Sequence, residues 1–134
     1  PFDGAEYDYY TTTKGVLEKV KAHVGDVDFA VQPEVLSLLS SGNFGRYADE
    51  KGEMKVCFIS NNDITGGNSG SAMFNSKGEL LGLAFDGNWE AMGSDILYEP
   101  KMQRTIGVDV RYILFMIEKY GKAGNLIKEL NIIN

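Results

Sequence analysis

Short apolar runs separated by turn residues dominate the middle of the chain. Four runs have the length and composition of strands: Met54 to Ser60, Ser71 to Phe74, Leu80 to Phe85 and Thr105 to Val110. Clusters of Asn, Asp, Ser and Gly end each of the first three runs. Strands at this spacing predict an antiparallel sheet or barrel.

The flanks of this stretch have helical spacing instead. Apolar positions predict helices over 14–24, over Glu34 to Ser41 and over Arg111 to Tyr120. In the last of these, apolar residues recur at i, i+3, i+4 and i+7, the pattern of an amphipathic helix. The aromatic and threonine-rich residues 1–13 are expected to be extended.

These elements predict a mainly β fold with flanking helices in a single domain. An extended and helical lead-in covers 1–53, barrel strands cover 54–110, and a carboxy-terminal helix lies within 111–134. No internal repeat and no linker-like segment divides the chain.

Composition narrows the class of protein. The chain has 134 residues, 43% of them hydrophobic, and a net charge of −6, which describes a globular chain with a core. The acidic balance without a Lys/Arg cluster argues against nucleic-acid and anionic-membrane partners. The longest apolar runs, such as Ile113 to Ile117, are too short to span a bilayer. The single cysteine, Cys57, excludes an internal disulfide and is expected to be a small buried apolar residue.

The candidate chemistry lies in a glycine-rich loop between two predicted strands, Thr65 to Ser71, with Ser69 near its centre. A nucleophilic serine needs an exposed hydroxyl on a sharp turn and backbone N–H groups directed at the developing oxyanion. Glycines on both sides permit that backbone shape. The loop is neither the elbow of α/β-hydrolases nor a phosphate-binding loop, because a strand and not a helix follows it.

The Gly-x-Ser-Gly pattern resembles that of chymotrypsin-like proteases, whose serine lies in the second of two β-barrels. Three further segments narrow the resemblance: Asn61 to Gly67, Phe85 to Glu90 and Gln103 to Tyr112. With them, essentially the whole chain is similar to the carboxy-terminal part of the bacterial dipeptidyl-peptidase 7 and dipeptidyl-peptidase 11 family of serine exopeptidases. The resemblance implies the second antiparallel barrel of a chymotrypsin-like double barrel, followed by a helix.

The resemblance also implies residue roles. Ser69 is expected to be the nucleophile, and the backbone N–H groups of Gly67 and Ser69 the oxyanion hole. Phe85, Asp86 and Gly87 are expected to bind substrate, with Gly87 beside the primary specificity pocket. Relatives that cleave after Asp or Glu have arginine at the position of Gly87, so glycine implies dipeptides that end in a hydrophobic residue. Gly87→Arg is accordingly expected to shift preference toward acidic residues.

A serine nucleophile also needs a general base, normally a histidine oriented by an aspartate. The only histidine, His23, lies in a polar stretch and is expected to be a solvent-exposed residue at a helix end. The family's catalytic His and Asp are expected upstream, in a missing amino-terminal part of the same enzyme. A chain that begins at Pro1 is therefore predicted to be a piece of a larger enzyme and inactive by itself.

The resemblance further implies a peptide substrate, no metal or organic cofactor, a homodimer of the whole enzyme, and a periplasmic or cell-surface location. Two other functions stay open. One is a chymotrypsin-like endopeptidase of the glutamyl-endopeptidase type, which shares the Gly-Asn-Ser-Gly-Ser loop. The other is a non-catalytic binding domain that keeps a protease fold. Labelling of Ser69 by a fluorophosphonate distinguishes a peptidase from a binding domain.

Overall fold

A computed structural model describes residues 8–93, 99 and 101–133 of the chain. The chain forms two compact units. The β unit comprises Pro1–Thr11 and Val56–Val110, and the helical unit comprises Thr12–Lys55 and Arg111–Asn134. The prediction of a single domain stays a prediction, and each unit is described separately.

The β unit contains one sheet of five strands in the order β1-β2-β5-β4-β3. Strand β5 pairs antiparallel with β2 and β4, and β4 pairs antiparallel with β3. A short helical turn over Trp89–Gly93 follows β4. The strands are β1 (Tyr10–Thr12), β2 (Lys55–Ser60), β3 (Ala72–Phe74), β4 (Leu80–Gly87) and β5 (Thr105–Asp109).

Two glycines on neighbouring strands make room for one aromatic ring. A Cβ atom on Gly107 of β5 would lie 2.9 Å from Phe58 Cζ and 2.7 Å from Met73 Sδ. A Cβ atom on Gly82 of β4 would lie 2.9 Å from Phe58 Cε1 and would also collide with the Val108 carbonyl oxygen. The Phe58 ring therefore packs directly against the backbone of Gly82 and Gly107, in the sheet that carries the serine loop.

The helical unit contains α1 (Thr13–Ala22), α2 (Pro33–Ser40), α3 (Val110–Phe115) and α4 (Gly124–Ile127). Phe115 is 1% exposed, and its ring makes edge-to-face contacts with Phe44 and Tyr47 at centroid distances of 5.8 and 6.1 Å. Leu39 and Met54 complete this buried cluster. The helical unit thus has a hydrophobic core of its own.

The helix after β5 changes its winding. Residues Met116–Tyr120 form a π-helical turn, in which the Gly121 N–H donates to the Met116 carbonyl oxygen at 2.8 Å. Within this turn, Glu118 Oε2 accepts the Tyr47 hydroxyl at 2.5 Å. Burial first and this hydrogen bond second raise the pKa of Tyr47 to about 12, and the same hydrogen bond lowers the pKa of Glu118.

The predicted fold class, a mainly antiparallel sheet with flanking helices, is confirmed. Each predicted strand in the middle of the chain agrees with an observed strand to within two residues. Two details differ. In the described residues the sheet is open, with β1 and β3 at its edges, rather than a closed barrel. The predicted regular helix from Arg111 to Tyr120 is α-helical only as far as Phe115.

Residues 1–7 of the predicted extended segment lie outside the described residues. No helix in the described ranges is long and apolar enough to cross a membrane.

Candidate active site

The loop between β2 and β3 presents Ser69 to solvent on two consecutive turns. Asn68 organises both turns. Its backbone N–H donates to the Thr65 carbonyl oxygen at 3.2 Å, and its side-chain Oδ1 accepts the Thr65 N–H at 3.0 Å. The Ser71 N–H then donates to the Asn68 carbonyl oxygen at 2.9 Å. Gly67 and Gly70, on either side, have φ values of +96° and +87°, which residues with a Cβ rarely adopt.

The loop is attached to β4 at the point where that strand is irregular. The Gly70 N–H donates to the Ala84 carbonyl oxygen at 2.7 Å. On β4, Ala84 is opposite Gly107 and Asp86 is opposite Ile106, so Phe85 is the extra residue of a β-bulge. The Ser69 hydroxyl lies 3.3 Å from the Phe85 carbonyl oxygen and donates to it. The Ser69 side chain is therefore hydrogen-bonded to the bulged residue of β4.

The backbone N–H groups of the loop fall into two sets. Those of Thr65, Asn68, Gly70 and Ser71 donate within the protein. Among the described residues, the N–H groups of Gly66, Gly67 and Ser69 have no acceptor. Stabilisation of an oxyanion requires two such donors directed at one point, and the predicted pair, Gly67 and Ser69, is available for it.

Ser69 opens into a cavity of about 260 Å³. Phe85, Asp86 and Gly87, which were predicted to bind substrate, line the same cavity as the predicted nucleophile. Gly67 is not a lining residue, although its N–H belongs to the adjoining turn. The remaining described lining residues are Ile64, Thr65, Gly66, Asn88, Ala91 and Met92.

One wall of the cavity depends on Asn88, which sequence reasoning missed. The Asn88 Nδ2 group donates to the Met102 carbonyl oxygen at 2.8 Å and to Glu90 Oε2 at 2.7 Å. Its Oδ1 accepts the Arg104 N–H at 2.8 Å, and its backbone carbonyl accepts the Ala91 N–H at 2.9 Å. In the sequence Asn88 is only a turn residue after Asp-Gly, and no local pattern indicates its partners 14 and 16 residues away.

Asp86 lines the cavity with an exposed carboxylate, one oxygen of which accepts a hydrogen bond. Asp86 Oδ1 accepts the N–H of Gly87 at 2.8 Å, which leaves its other oxygen directed at no described donor. The carboxylate therefore contributes negative charge to the cavity beside Ser69.

The other candidate residues have structural roles. His23 ends α1, as predicted, but its ring is half-buried rather than exposed. Its Nδ1 lies 2.9 Å from the Lys19 carbonyl oxygen, and the ring stacks on Phe29 at a centroid distance of 4.0 Å. Cys57 is half-buried rather than fully buried, and burial raises the pKa of its thiol, which disfavours the reactive thiolate.

Comparison with known proteins gives a family match over nearly the whole chain. The peptidase S46 family model matches residues 1–132. The dipeptidyl-peptidase 7 of Porphyromonas endodontalis is 60% identical over 133 residues, which are 99% of this chain and 16% of that protein. The Asp/Glu-specific dipeptidyl-peptidase of Capnocytophaga gingivalis is 46% identical over 133 residues, which are 99% of this chain and 18% of that protein.

A solved structure has the same fold over nearly all of the chain. The crystal structure of Porphyromonas endodontalis DPP11 in complex with the dipeptide Arg-Glu superimposes with a TM-score of 0.88 at 43% sequence identity. The match covers 96% of this chain and 18% of that chain. The chain thus spans less than a fifth of the length of these relatives.

Proposed function

Because the chain belongs to the peptidase S46 family, we propose that it is part of a serine dipeptidyl-peptidase whose nucleophile is Ser69. The observation that carries the proposal is the shared cavity: the exposed Ser69 lies in it together with Phe85, Asp86 and Gly87. The unengaged N–H groups of Gly67 and Ser69 support an oxyanion hole beside that hydroxyl.

In the proposed reaction, Ser69 Oγ attacks the carbonyl carbon of the second residue of a peptide. The hydroxyl proton passes to a general base, and the carbonyl electrons move onto the oxygen that the two N–H groups hold. Collapse of this intermediate breaks the C–N bond, and the leaving amine takes the proton. Water then attacks the acyl-serine ester, which releases the dipeptide and restores the hydroxyl.

We place the general base outside these 134 residues. His23 is the only histidine of the chain, and its ring is occupied by contacts with Lys19 and Phe29. Among the described residues, Ser69 has the Phe85 carbonyl as its hydrogen-bond partner. Because a carbonyl oxygen cannot take up the proton, the isolated chain is expected to hydrolyse no peptide at a measurable rate.

We propose a specificity pocket without a cationic side chain, which takes a hydrophobic residue before the scissile bond. Gly87 supplies no side chain, and the described lining residues include neither lysine nor arginine. Ile64, Ala91 and Met92 provide apolar surface instead. The identity of 60% to a dipeptidyl-peptidase 7, against 46% to an Asp/Glu-specific relative, supports a preference for residues other than Asp and Glu.

The test is kinetic and uses the full-length protein. Ser69→Ala is expected to lower kcat on dipeptidyl-naphthylamides by about 10⁴-fold or more, because no other group replaces the nucleophile. Ser71→Ala, two residues further along the loop, is the matched control and should retain activity within a few-fold. Retention of activity by Ser69→Ala would contradict the nucleophile, and absence of any hydrolysis by the unaltered protein would support a non-catalytic binding domain.

A further inference from the structure

Gly87 is a glycine because of its surroundings and not because of its backbone. Its φ is not among the positive values that exclude other residues. A Cβ atom at this position would, however, lie 2.9 Å from the Cβ of Ala91, a separation that real Cβ atoms essentially never show. The next nearest atoms, the Arg104 carbonyl oxygen and Ile64 Cγ2, would both be 3.8 Å away, which is ordinary van der Waals contact. Of these three atoms, the Ala91 methyl group is therefore the one that clashes with a Cβ atom at position 87.

The backbones of Gly87 and Ala91 are both held by hydrogen bonds, so they cannot easily separate to relieve that contact. Gly87 pairs with Thr105 of β5, whose side chain is 2% exposed and donates to the Asn62 carbonyl oxygen at 2.7 Å. Ala91 is 9% exposed, and its N–H is held by the Asn88 carbonyl oxygen at 2.9 Å. Asn88 itself is bound to the 102–104 segment through its side chain. Gly87 and Ala91 are thus both held in place at the same end of the sheet.

We propose that Ala91 is a second specificity-determining residue, which keeps position 87 free of a side chain and so keeps a cation out of the pocket. This inference rests on the proposed function, since it deepens the role of the cavity beside Ser69. A cationic side chain at position 87, which would suit a substrate carboxylate, fits only if position 91 loses its methyl group. The two positions act as a pair: a change at 87 alone gives overpacking, and a change at 91 alone leaves a larger pocket that still has no cation.

A double-mutant cycle in the full-length protein tests the pair. The variants are Gly87→Arg, Ala91→Gly and the combination, assayed on dipeptidyl-naphthylamides with Leu or with Glu before the scissile bond. The family resemblance by itself implies that Gly87→Arg shifts preference toward acidic residues. The contact with Ala91 changes that expectation: Gly87→Arg alone should lose at least about tenfold in kcat/KM on the Leu substrate and gain little on the Glu substrate, because overpacking distorts the pocket. The combination is expected to cleave the Glu substrate at least about tenfold faster than Gly87→Arg does. Ala22→Gly, on the exposed end of α1, added to Gly87→Arg controls for the mere addition of a glycine and should give no such gain.

Two results of the activity assay would overturn the inference. One is Gly87→Arg cleaving the Glu substrate as fast as the double variant. The other is failure of both arginine variants on the Glu substrate while Ser69 in each still reacts with a fluorophosphonate. Thermal unfolding provides a readout that does not depend on activity. Gly87→Ala should lower Tm, and adding Ala91→Gly should restore part of the loss, whereas two additive losses would contradict the contact. If Ser69→Ala stays active, the proposed function fails, but the unfolding cycle still tests the pair.

Discussion

The serine loop and the core of the helical unit are stabilised by different kinds of interaction. The loop is exposed and owes its shape to backbone hydrogen bonds and to two glycines with positive φ. The helical core is held by the contacts of buried side chains around Phe115. Mutations in the first region should therefore change activity with little loss of stability, and those in the second should change stability with little effect on the chemistry of each folded molecule.

Phe115→Ala should produce the largest stability loss. The ring is 1% exposed and touches both Phe44 and Tyr47, so its removal leaves a cavity that costs about 3–5 kcal/mol of unfolding free energy. Denaturant unfolding of the full-length protein measures the change. Phe74→Ala is the control, since that side chain is 60% exposed and should cost little. Equal losses for the two variants would mean that the ring at position 115 does not organise a core.

Gly67→Ala should break the proposed oxyanion hole. A φ of +96° is unfavourable for alanine, so the turn shifts and the N–H of residue 67 leaves its place. Loss of one such donor lowers kcat by about 10²- to 10³-fold. Gly78→Ala, which has a φ of +78° in an exposed hairpin turn, imposes similar strain away from the serine. A kcat that falls equally in both variants would indicate a general loss of folding rather than a local effect.

Asp86→Asn tests the charge of the cavity. Asparagine keeps an oxygen that can accept the Gly87 N–H but removes the negative charge beside Ser69. For substrates with a positively charged amino end, KM is expected to rise by about threefold to tenfold, the modest effect of an exposed charge. The rise should diminish at high salt. An unchanged KM at low salt would remove Asp86 from substrate binding.

Tyr47→Phe should have the smallest effect, visible at high pH. The folded-state pKa of Tyr47, about 12, lies above the value near 10 of an unfolded tyrosine. The unfolded state therefore releases this proton first, and stability falls as pH rises from about 10 to about 12. In the phenylalanine variant this part of the decline should be absent when unfolding is followed across that range. An identical pH profile in both proteins would contradict the raised pKa.

The strands and the serine loop could be predicted from sequence because their signals are local. Apolar runs and turn clusters fix the strands, and glycines around Ser69 mark the sharp turn. The bulge at Phe85 and the hydrogen bonds of Asn88 could not be predicted, since they depend on which residues of β5 and of the 102–104 segment lie opposite. The π-helical turn after Phe115 could not be predicted for a different reason. Over five residues, the apolar spacing of a π turn differs little from that of an α-helix.

Gly87 could be expected at the pocket from the sequence alone, whereas Ala91 could not. The resemblance to a family implies a role for position 87, whereas the role proposed for Ala91 rests on a distance of 2.9 Å between two Cβ positions. In the sequence Ala91 is one small residue among others, four positions after the glycine that it faces.

Covalent adduct mapping identifies the nucleophilic serine without relying on kinetics. The full-length protein is treated with a fluorophosphonate, digested and analysed by mass spectrometry. If Ser69 is the nucleophile, one stoichiometric phosphonyl adduct forms on Ser69, which is absent from Ser69→Ala and present in Ser71→Ala. An adduct on another serine, or no adduct in a protein that cleaves dipeptidyl substrates, would contradict Ser69 as the nucleophile.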